Sequence, residues 1–281
     1  QSNVTVWNFD DANSPLAADY GPSVLSYFDP EQTNWGPEET QYNTTQALGI
    51  ADFADGSSGV MAFSRHAPTE GLLITLNTPA NGDYASEGMV SDYTLVMDLY
   101  WPKEGKDIYR AIMQANTQDY LTDDADMFID PTGGYGKSTS DSGYFGQTEP
   151  ENWHRVAFVF YTAPSNGVFE VYIDGELAGV KEDGEINNTW ALTSSVLLFT
   201  DNNFETVPGY LNALLYAGRA LTRDEIKSIG SAQSKLTFTP TTRVLNQAIE
   251  RHYQAAPTVK PNLWLEQRNT FFNNRTQSVN N

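Results

Sequence analysis

The side chains best suited to acid–base or nucleophilic chemistry are few in this sequence. Its 281 residues include three histidines, His66, His154 and His252, and no cysteine. Without cysteine there are no disulfides, thiolate nucleophiles, cysteine zinc sites or iron–sulfur clusters. Arg65 precedes His66 and combines a cation with a base, the pair that a lyase needs to act on a uronate. A single dipeptide is weak evidence for that chemistry.

Other catalytic arrangements are missing from the sequence. A retaining glycosidase needs two carboxyl groups about 5 Å apart, and no strand carries them in an E-x-D-x-x-E pattern. The sequence has no G-x-S-x-G elbow, no phosphate-binding loop and no dinucleotide fingerprint. We therefore predict no catalytic residues and a protein that is not an enzyme.

Aromatic residues in loops offer a different function, because exposed rings stack on the apolar faces of sugars. Five form the candidate ligand-binding set: Trp35, Tyr42, Tyr120, Tyr135 and Tyr144. Trp35 is the best single candidate, since it lies between Asn34 and Gly36 in a polar stretch. The alternative is that these rings fill gaps in the packing.

The charge balance restricts the partners. Acidic residues number 36 and basic residues 16, which gives a net charge of −20. Phosphate binding requires clustered lysine and arginine, so nucleic acid is excluded as a partner, and an anionic membrane surface is excluded for the same reason. No apolar run approaches the roughly 20 residues of a membrane helix, so no membrane insertion is expected.

The elements that must position these side chains are mainly strands. Runs rich in valine, isoleucine and aromatic residues alternate with turns of glycine, proline, asparagine and aspartate. No helix of 10–15 residues lies between them, which favours antiparallel sheets over a βαβ fold. Asp174–Gly175 between two such runs predicts a tight hairpin. Thr222 and Glu225 form a capping box that predicts a short helix ending at Gly230.

Four motifs in order resemble one family. They read W-H-R-V-A-F at 153–158, V-Y-I-D-G-E-L-A-G at 171–179, G-Y-L-N-A-L-L-Y at 209–216 and R-A-L-T-R-D-E-I at 219–226. This series resembles the laminin-G-like, concanavalin A-like jelly-roll domains. The resemblance implies an all-β, two-sheet antiparallel jelly-roll sandwich with a short capping helix. That fold carries lectins, adhesins, glycosidases and lyases, so it implies no single activity.

The resemblance also implies one structural Ca²⁺ near the rim of the sandwich. Calcium prefers oxygen ligands. If the first and a late strand lie side by side, as in the family, Asp10 can share an ion with Asp201 and Glu205, and these three are the predicted metal ligands. The alternative, that the loops are ordinary acidic turns, stays equally open. A second acidic group, 123–126 with Asp130, is expected to be a solvated loop.

The motifs end near residue 230, which divides the chain. We predict a laminin-G-like domain over 1–231 and a C-terminal extension over 232–281, with a helix at about 242–254 followed by an extended tail. Pro257 and Pro261 prevent the helix from continuing. Five large apolar residues form an assembly tail: Leu263, Trp264, Leu265, Phe271 and Phe272.

These observations favour a secreted, non-catalytic module that binds a glycan or another surface ligand, in adhesion or as an accessory to an enzyme. Secretion is expected because the chain begins at Gln1, which we interpret as the end left by removal of a signal peptide. One alternative is a structural subunit of an extracellular filament, sheath or surface layer, a homo-oligomer joined through the C-terminal extension. A second is a domain associated with a polysaccharide lyase or hydrolase.

The assembly tail gives the first testable prediction. Its five apolar side chains should be buried, on the same chain or on another copy, because each gains about 1.5–3 kcal/mol on burial. Limited proteolysis should therefore cut 258–281 much more slowly than an unfolded peptide. Cleavage at the rate of an unfolded peptide, with the sandwich intact, would show that the tail is loose.

Overall fold

The strands form two antiparallel sheets. The structure, a computed structural model, describes residues 3–137, 143–163, 166–183 and 189–239. Within these ranges one sheet has eight strands: β1 (Val4–Trp7), β3 (Thr40–Thr44), β4 (Gly59–Phe63), β6 (Tyr93–Tyr100), β11 (Trp153–Ala163), β12 (Asn166–Ile173), β13 (Glu176–Asp183) and β15 (Gly209–Ala217). The other has seven: β2 (Val24–Phe28), β5 (Gly71–Thr75), β7 (Arg110–Gln114), β8 (Met127–Ile129), β9 (Tyr135–Gly136), β10 (Tyr144–Phe145) and β14 (Ser195–Leu198).

Neighbouring strands are mostly distant in sequence. The eight-stranded sheet runs β13-β12-β11-β6-β15-β4-β3, with β1 paired to β15, and the seven-stranded sheet runs β10-β9-β8-β7-β14-β5-β2. Helices are few in the described part of the chain: α1 (Trp35–Glu39), α2 (Thr45–Leu48), α3 (Arg223–Ile229) and two 3₁₀ turns, Ala85–Glu87 and Lys103–Gly105. The predicted all-β, two-sheet antiparallel sandwich with a capping helix is confirmed.

The main core lies between the sheets. Alternate residues of a strand face opposite sides, so β6 contributes Leu95, Met97 and Leu99 to this core, and β5 contributes Leu72 and Ile74 from the opposite sheet. All five side chains are at most 1% exposed. The apolar residues of the predicted strands are therefore sufficient to hold the two layers together.

The eight-stranded sheet is also covered on its outer face. Val96 and Leu215 pack there against Ile226 of α3 and against Leu236, in a second apolar cluster. The helix begins at the predicted capping box, in which the Thr222 hydroxyl accepts from the backbone N–H of Glu225 and the Glu225 carboxylate accepts from that of Thr222. This sheet is therefore buried on both sides.

The segment after α3 is tied to the sandwich as far as residue 239. The Asn8 amide donates to the Leu236 carbonyl at 3.2 Å and accepts from its N–H at 2.7 Å. The Ser234 hydroxyl donates to the Asp55 carboxylate at 2.6 Å. The compact unit of the chain extends to Pro240.

The predicted helix at 242–254 and the assembly tail, Leu263, Trp264, Leu265, Phe271 and Phe272, lie outside the described residues. The division into domains and the assembly tail therefore stay predictions. Among the residues described, no helix is long and apolar enough to cross a membrane.

The hairpin between β12 and β13 forms at the predicted turn. Asp174 and Gly175 have φ values of 53° and 85°, so both central residues are in the left-handed region, as a tight two-residue hairpin requires. A Cβ atom on Gly175 would lie 3.0 Å from the Cα of Gly230. Glycine is therefore required here by conformation and by the close approach of the end of α3.

Replacing this glycine should destabilise the fold. Gly175→Val places a β-branched residue at positive φ, which costs about 1–3 kcal/mol, and adds the contact with Gly230. Gly49→Val is the matched control, because Gly49 has a φ of 70° and nothing within 4 Å of an added Cβ. Thermal unfolding should show a larger loss for Gly175→Val than for Gly49→Val. Equal losses would mean that the contact with Gly230 adds nothing.

Candidate ligand-binding site

A cavity of about 230 Å³ lies at one end of the sandwich. Residues of three connections line it: 106–110 between β6 and β7, 131–133 between β8 and β9, and 147–150 between β10 and β11. Since β6 and β11 belong to the eight-stranded sheet and β7–β10 to the other, the loops of both sheets meet at this cavity. It is the candidate ligand site.

Arg110, the first residue of β7, lines the cavity with a buried guanidinium. The residue is 4% exposed, and its guanidinium carbon lies 5.6 Å from the centre of the Trp101 ring. Nη2 donates to the Asp130 carbonyl at 3.2 Å, whereas Nε is buried without a partner. Burial lowers the pKa of the Arg110 guanidinium. The cation is therefore held by an aromatic ring and one carbonyl.

A tight turn after β8 forms one wall. The Asp130 carboxylate accepts from the backbone N–H groups of Thr132 and Gly134, at 2.8 and 2.9 Å. Gly133 has a φ of 92°, and a Cβ there would lie 2.3 Å from the Thr148 carbonyl oxygen. Only glycine allows the two loops to approach so closely, and this fixes the shape of the cavity.

Two exposed apolar side chains are neighbours of the lining residues in the chain. Ile108 and Tyr109, between Asp107 and Arg110, are 43% and 42% exposed. The Tyr109 ring packs against those of Phe128 and Tyr144, with ring centres 6.2 and 6.0 Å apart. Neither Ile108 nor Tyr109 lines the cavity, whose lining is mainly polar.

The five predicted ligand-binding aromatics are not equally accessible. Trp35 is 4% exposed and packs against Tyr27 and His66, because α1 turns its ring into the core. Tyr135 is fully buried, and its hydroxyl bonds the Thr148 hydroxyl at 3.1 Å. For these two, the expected exposure is not found, and both rings fill the packing instead.

The other three predicted rings are partly buried. Tyr42 on β3 shares a hydrogen bond of 2.7 Å with the Tyr27 hydroxyl, and Tyr120 packs edge-on against Phe28. Tyr144 packs beside Tyr109 and is not among the residues that line the cavity. Burial raises the pKa of the Tyr144 hydroxyl, which stays protonated.

Lys106 and Arg110 line the cavity but were not predicted from the sequence. Arg110 begins the run R-A-I-M of 110–113. A charged residue at the start of an apolar strand was the available signal. Strand alternation alone does not show that its neighbours leave a cavity.

Two of the three predicted metal ligands, Asp201 and Glu205, lie close together, and the third carboxylate beside them is that of Asp124. Single oxygens of Asp124, Asp201 and Glu205 lie within 4.8 Å of one another. Asp10 instead accepts from Lys235 at 3.0 Å. The reason is topological: β1 pairs with β15 in the eight-stranded sheet, whereas Asp201 follows β14 in the other sheet. Asp10 therefore lies outside this carboxylate cluster, and its sharing of an ion with Asp201 and Glu205 stays a prediction.

This carboxylate cluster has the oxygen ligands that calcium prefers, and its spacing fits one cation. Asp201 is fully buried and accepts from the backbone N–H groups of Asn203 and Glu205, at 2.9 and 3.0 Å. Burial raises the pKa of Glu205, and the charges of Asp201 and Asp124 raise it further. A calcium ion bound by this cluster stays a prediction.

The histidines that the structure describes have structural roles. His66 is 4% exposed and bonds the carbonyls of Ser64 and Phe199. His154 bonds the Asp174 carboxylate of the β12–β13 hairpin at 2.8 Å. The Arg65–His66 pair therefore does not present its imidazole to a substrate.

Known proteins resemble the chain in fold. No family model matches it, and no curated protein matches it either. The binding domain of botulinum neurotoxin serotype D has a TM-score of 0.51 at 12% identity, covering 81% of this chain and 51% of that chain. The binding domain of Paraclostridial Mosquitocidal Protein 1 has a TM-score of 0.51 at 11% identity, with the same coverage.

A third similar structure is that of botulinum neurotoxin type C, whose cell entry depends on two ganglioside molecules. Its TM-score is 0.50 at 10% identity, and 81% of this chain and 50% of that chain are covered. The chain thus spans about half the length of each of these structures. Identities this low show the fold alone, a β-sandwich of the kind found in these toxin domains.

The carboxylate cluster gives a prediction that depends on pH. The pKa of Glu205 is raised in the folded state, so the folded state holds this proton to a higher pH than the unfolded state does. As pH rises through that pKa, the ionised Glu205 therefore destabilises the fold. Without calcium, Glu205→Gln should therefore melt higher than wild type near pH 7. The difference should vanish below about pH 4, where the glutamate is protonated in both states.

Added Ca²⁺ should reverse the order of the two melting temperatures, because an ion that binds only the folded state stabilises that state. Wild type should gain more in melting temperature from added Ca²⁺ than Glu205→Gln does. Glu31→Gln, an exposed glutamate outside the cluster, should behave like wild type. A wild-type melting curve that is the same in Ca²⁺ and in chelator would remove the calcium prediction.

Proposed function

We propose that the sandwich is a secreted, non-catalytic, laminin-G-like module that binds a glycan, for adhesion or as an accessory to an enzyme. The observation that carries this proposal is the polar cavity at the end of the sandwich; Tyr109, which is 42% exposed, precedes the lining residue Arg110 in the chain. Convergent polar groups with a neighbouring aromatic face are the usual composition of a sugar site.

The side chains of the cavity match the needs of a sugar. The Glu149 carboxylate can accept from sugar hydroxyls, and the Gln147 amide and the Thr132 hydroxyl can donate or accept. Tyr109 can pack on the apolar face of a ring at the mouth. Specificity would come from the polar groups and contact area from the tyrosine.

The comparisons support a binding role at the level of fold. The similar structures are binding domains of toxins, and one of those toxins interacts with gangliosides. The laminin-G-like family is supported by the four sequence motifs, and the secreted location by the similarity in fold to binding domains of toxins.

Binding to an immobilised glycan panel, with and without Ca²⁺, tests the proposal. Wild type should bind at least one class of glycan, and Tyr109→Ala should weaken that binding roughly tenfold or more, since stacking rings commonly contribute 1–3 kcal/mol. Tyr20→Ala is the matched control, because Tyr20 is 41% exposed and lies between β1 and β2, away from the residues that line the cavity in the chain. Failure of wild type to bind any glycan, in both conditions, would contradict the proposal.

A further inference from the structure

Within the described part of the chain, Arg110 differs from the other buried arginine, Arg155. Arg155 is 3% exposed and forms two hydrogen bonds of 2.7 Å with the Asp98 carboxylate. The partly buried Arg219 is paired with Glu225 in the same bidentate way. Arg110 is 4% exposed, and among the described residues it forms no ion pair.

The donors of Arg110 are mostly unused. A guanidinium has five N–H groups, and those of Arg110 form one hydrogen bond among the residues described, from Nη2 to the Asp130 carbonyl. Nε is buried without a partner. A buried cation without a counterion is costly, because burial removes the water that would otherwise stabilise it. Arg110 therefore has no hydrogen-bonded counterion among the described residues, although the charges of Asp130 and Asp107 act on it at longer range.

The cavity supplies the space for an anion beside Arg110. Asp107 and Glu149 also line it, but neither is paired with Arg110. Lys106 adds a second cation, exposed at the mouth. The turn that carries Asp130 and Gly133 holds its backbone close to Thr148, so the loops themselves leave the opening beside Arg110.

We propose that Arg110 binds the carboxylate of an acidic sugar, with the sugar ring in the cavity. A planar guanidinium can bind a carboxylate through two parallel hydrogen bonds, which a neutral sugar cannot form. This inference rests on the proposed glycan-binding function and deepens it. It assigns Arg110 and Lys106 to the carboxylate, and leaves Glu149 and Gln147 for the hydroxyls.

The volume limits the ligand to a small unit. About 230 Å³ is below the roughly 300–1,000 Å³ typical of pockets for drug-sized molecules. One monosaccharide unit, at the end of a chain or as a branch, is the size that fits. The rest of a longer glycan would extend out of the cavity toward solvent.

A panel of free sugars tests the carboxylate without changing the protein. Galacturonate, glucuronate and N-acetylneuraminate would each be titrated by NMR against the full chain, beside their methyl esters, galactose and galactose 6-sulfate. At least one acid should bind, and its ester roughly ten- to hundredfold more weakly, as expected for loss of a charge-assisted pair of hydrogen bonds. Equal affinity of acid and ester would overturn the proposal.

Variants then locate the site. Arg110→Lys keeps the charge but loses the paired geometry, and should weaken binding of the acid roughly tenfold or more. Lys106→Gln should weaken it about two- to fivefold, as expected for an exposed charge. Lys103→Gln is the control, since Lys103 is a nearby exposed lysine that pairs with Glu151. This variant should bind the acidic sugar with the affinity of wild type. Undiminished binding by a folded Arg110→Lys would overturn the proposal.

The outcomes separate this inference from the proposed function. If Arg110→Lys does not fold, the ester comparison and Lys106→Gln still decide. Neutral glycans that bind as tightly as acidic ones, and lose affinity in Tyr109→Ala, would leave the glycan function in place and remove the role of Arg110. Binding of the sulfated sugar without any of the carboxylates would also overturn the assignment. Binding to no sugar at all would remove both.

Discussion

The buried carboxylate of Asp98 is the constraint on which the rest of the sandwich depends. It lies fully buried on the central strand β6, and burial raises its pKa. An unpaired charge there would be strongly destabilising, so Arg155 must bind both of its oxygens. Arg155 also donates to the Ile229 carbonyl and so ties the last residue of α3 to the same pair.

The covering of the eight-stranded sheet restricts where a ligand can bind. With α3 and the segment around Leu236 covering the outer face of the eight-stranded sheet, this face is not available to a ligand. The loops at the end of the sandwich remain, and there the connections around Gly133 and Thr148 approach each other closely. The cavity beside Arg110 is thus a product of loop geometry on a rigid frame, as is common for binding sites.

The sequence predicts what depends on neighbours in the chain. The capping box of α3 and the turn at Asp174–Gly175 were both predicted correctly, because a few adjacent residues determine them. The exposure of Trp35 and the partners of Asp201 were not predicted correctly, because they depend on segments that are distant in sequence. Asp124 is 77 positions before Asp201, and they meet because β14 and β8 both pair with β7.

The depth of Arg110 has a consequence for binding in salt. A chain with a net charge of −20 repels an anion at long range, and salt screens that repulsion over about 10 Å or less at ordinary ionic strength. The guanidinium itself is 4% exposed, so its short contact with a bound carboxylate is screened far less. Moderate salt would therefore speed the approach of an acidic sugar while leaving the final contact largely intact. This is the reverse of what an exposed basic patch produces.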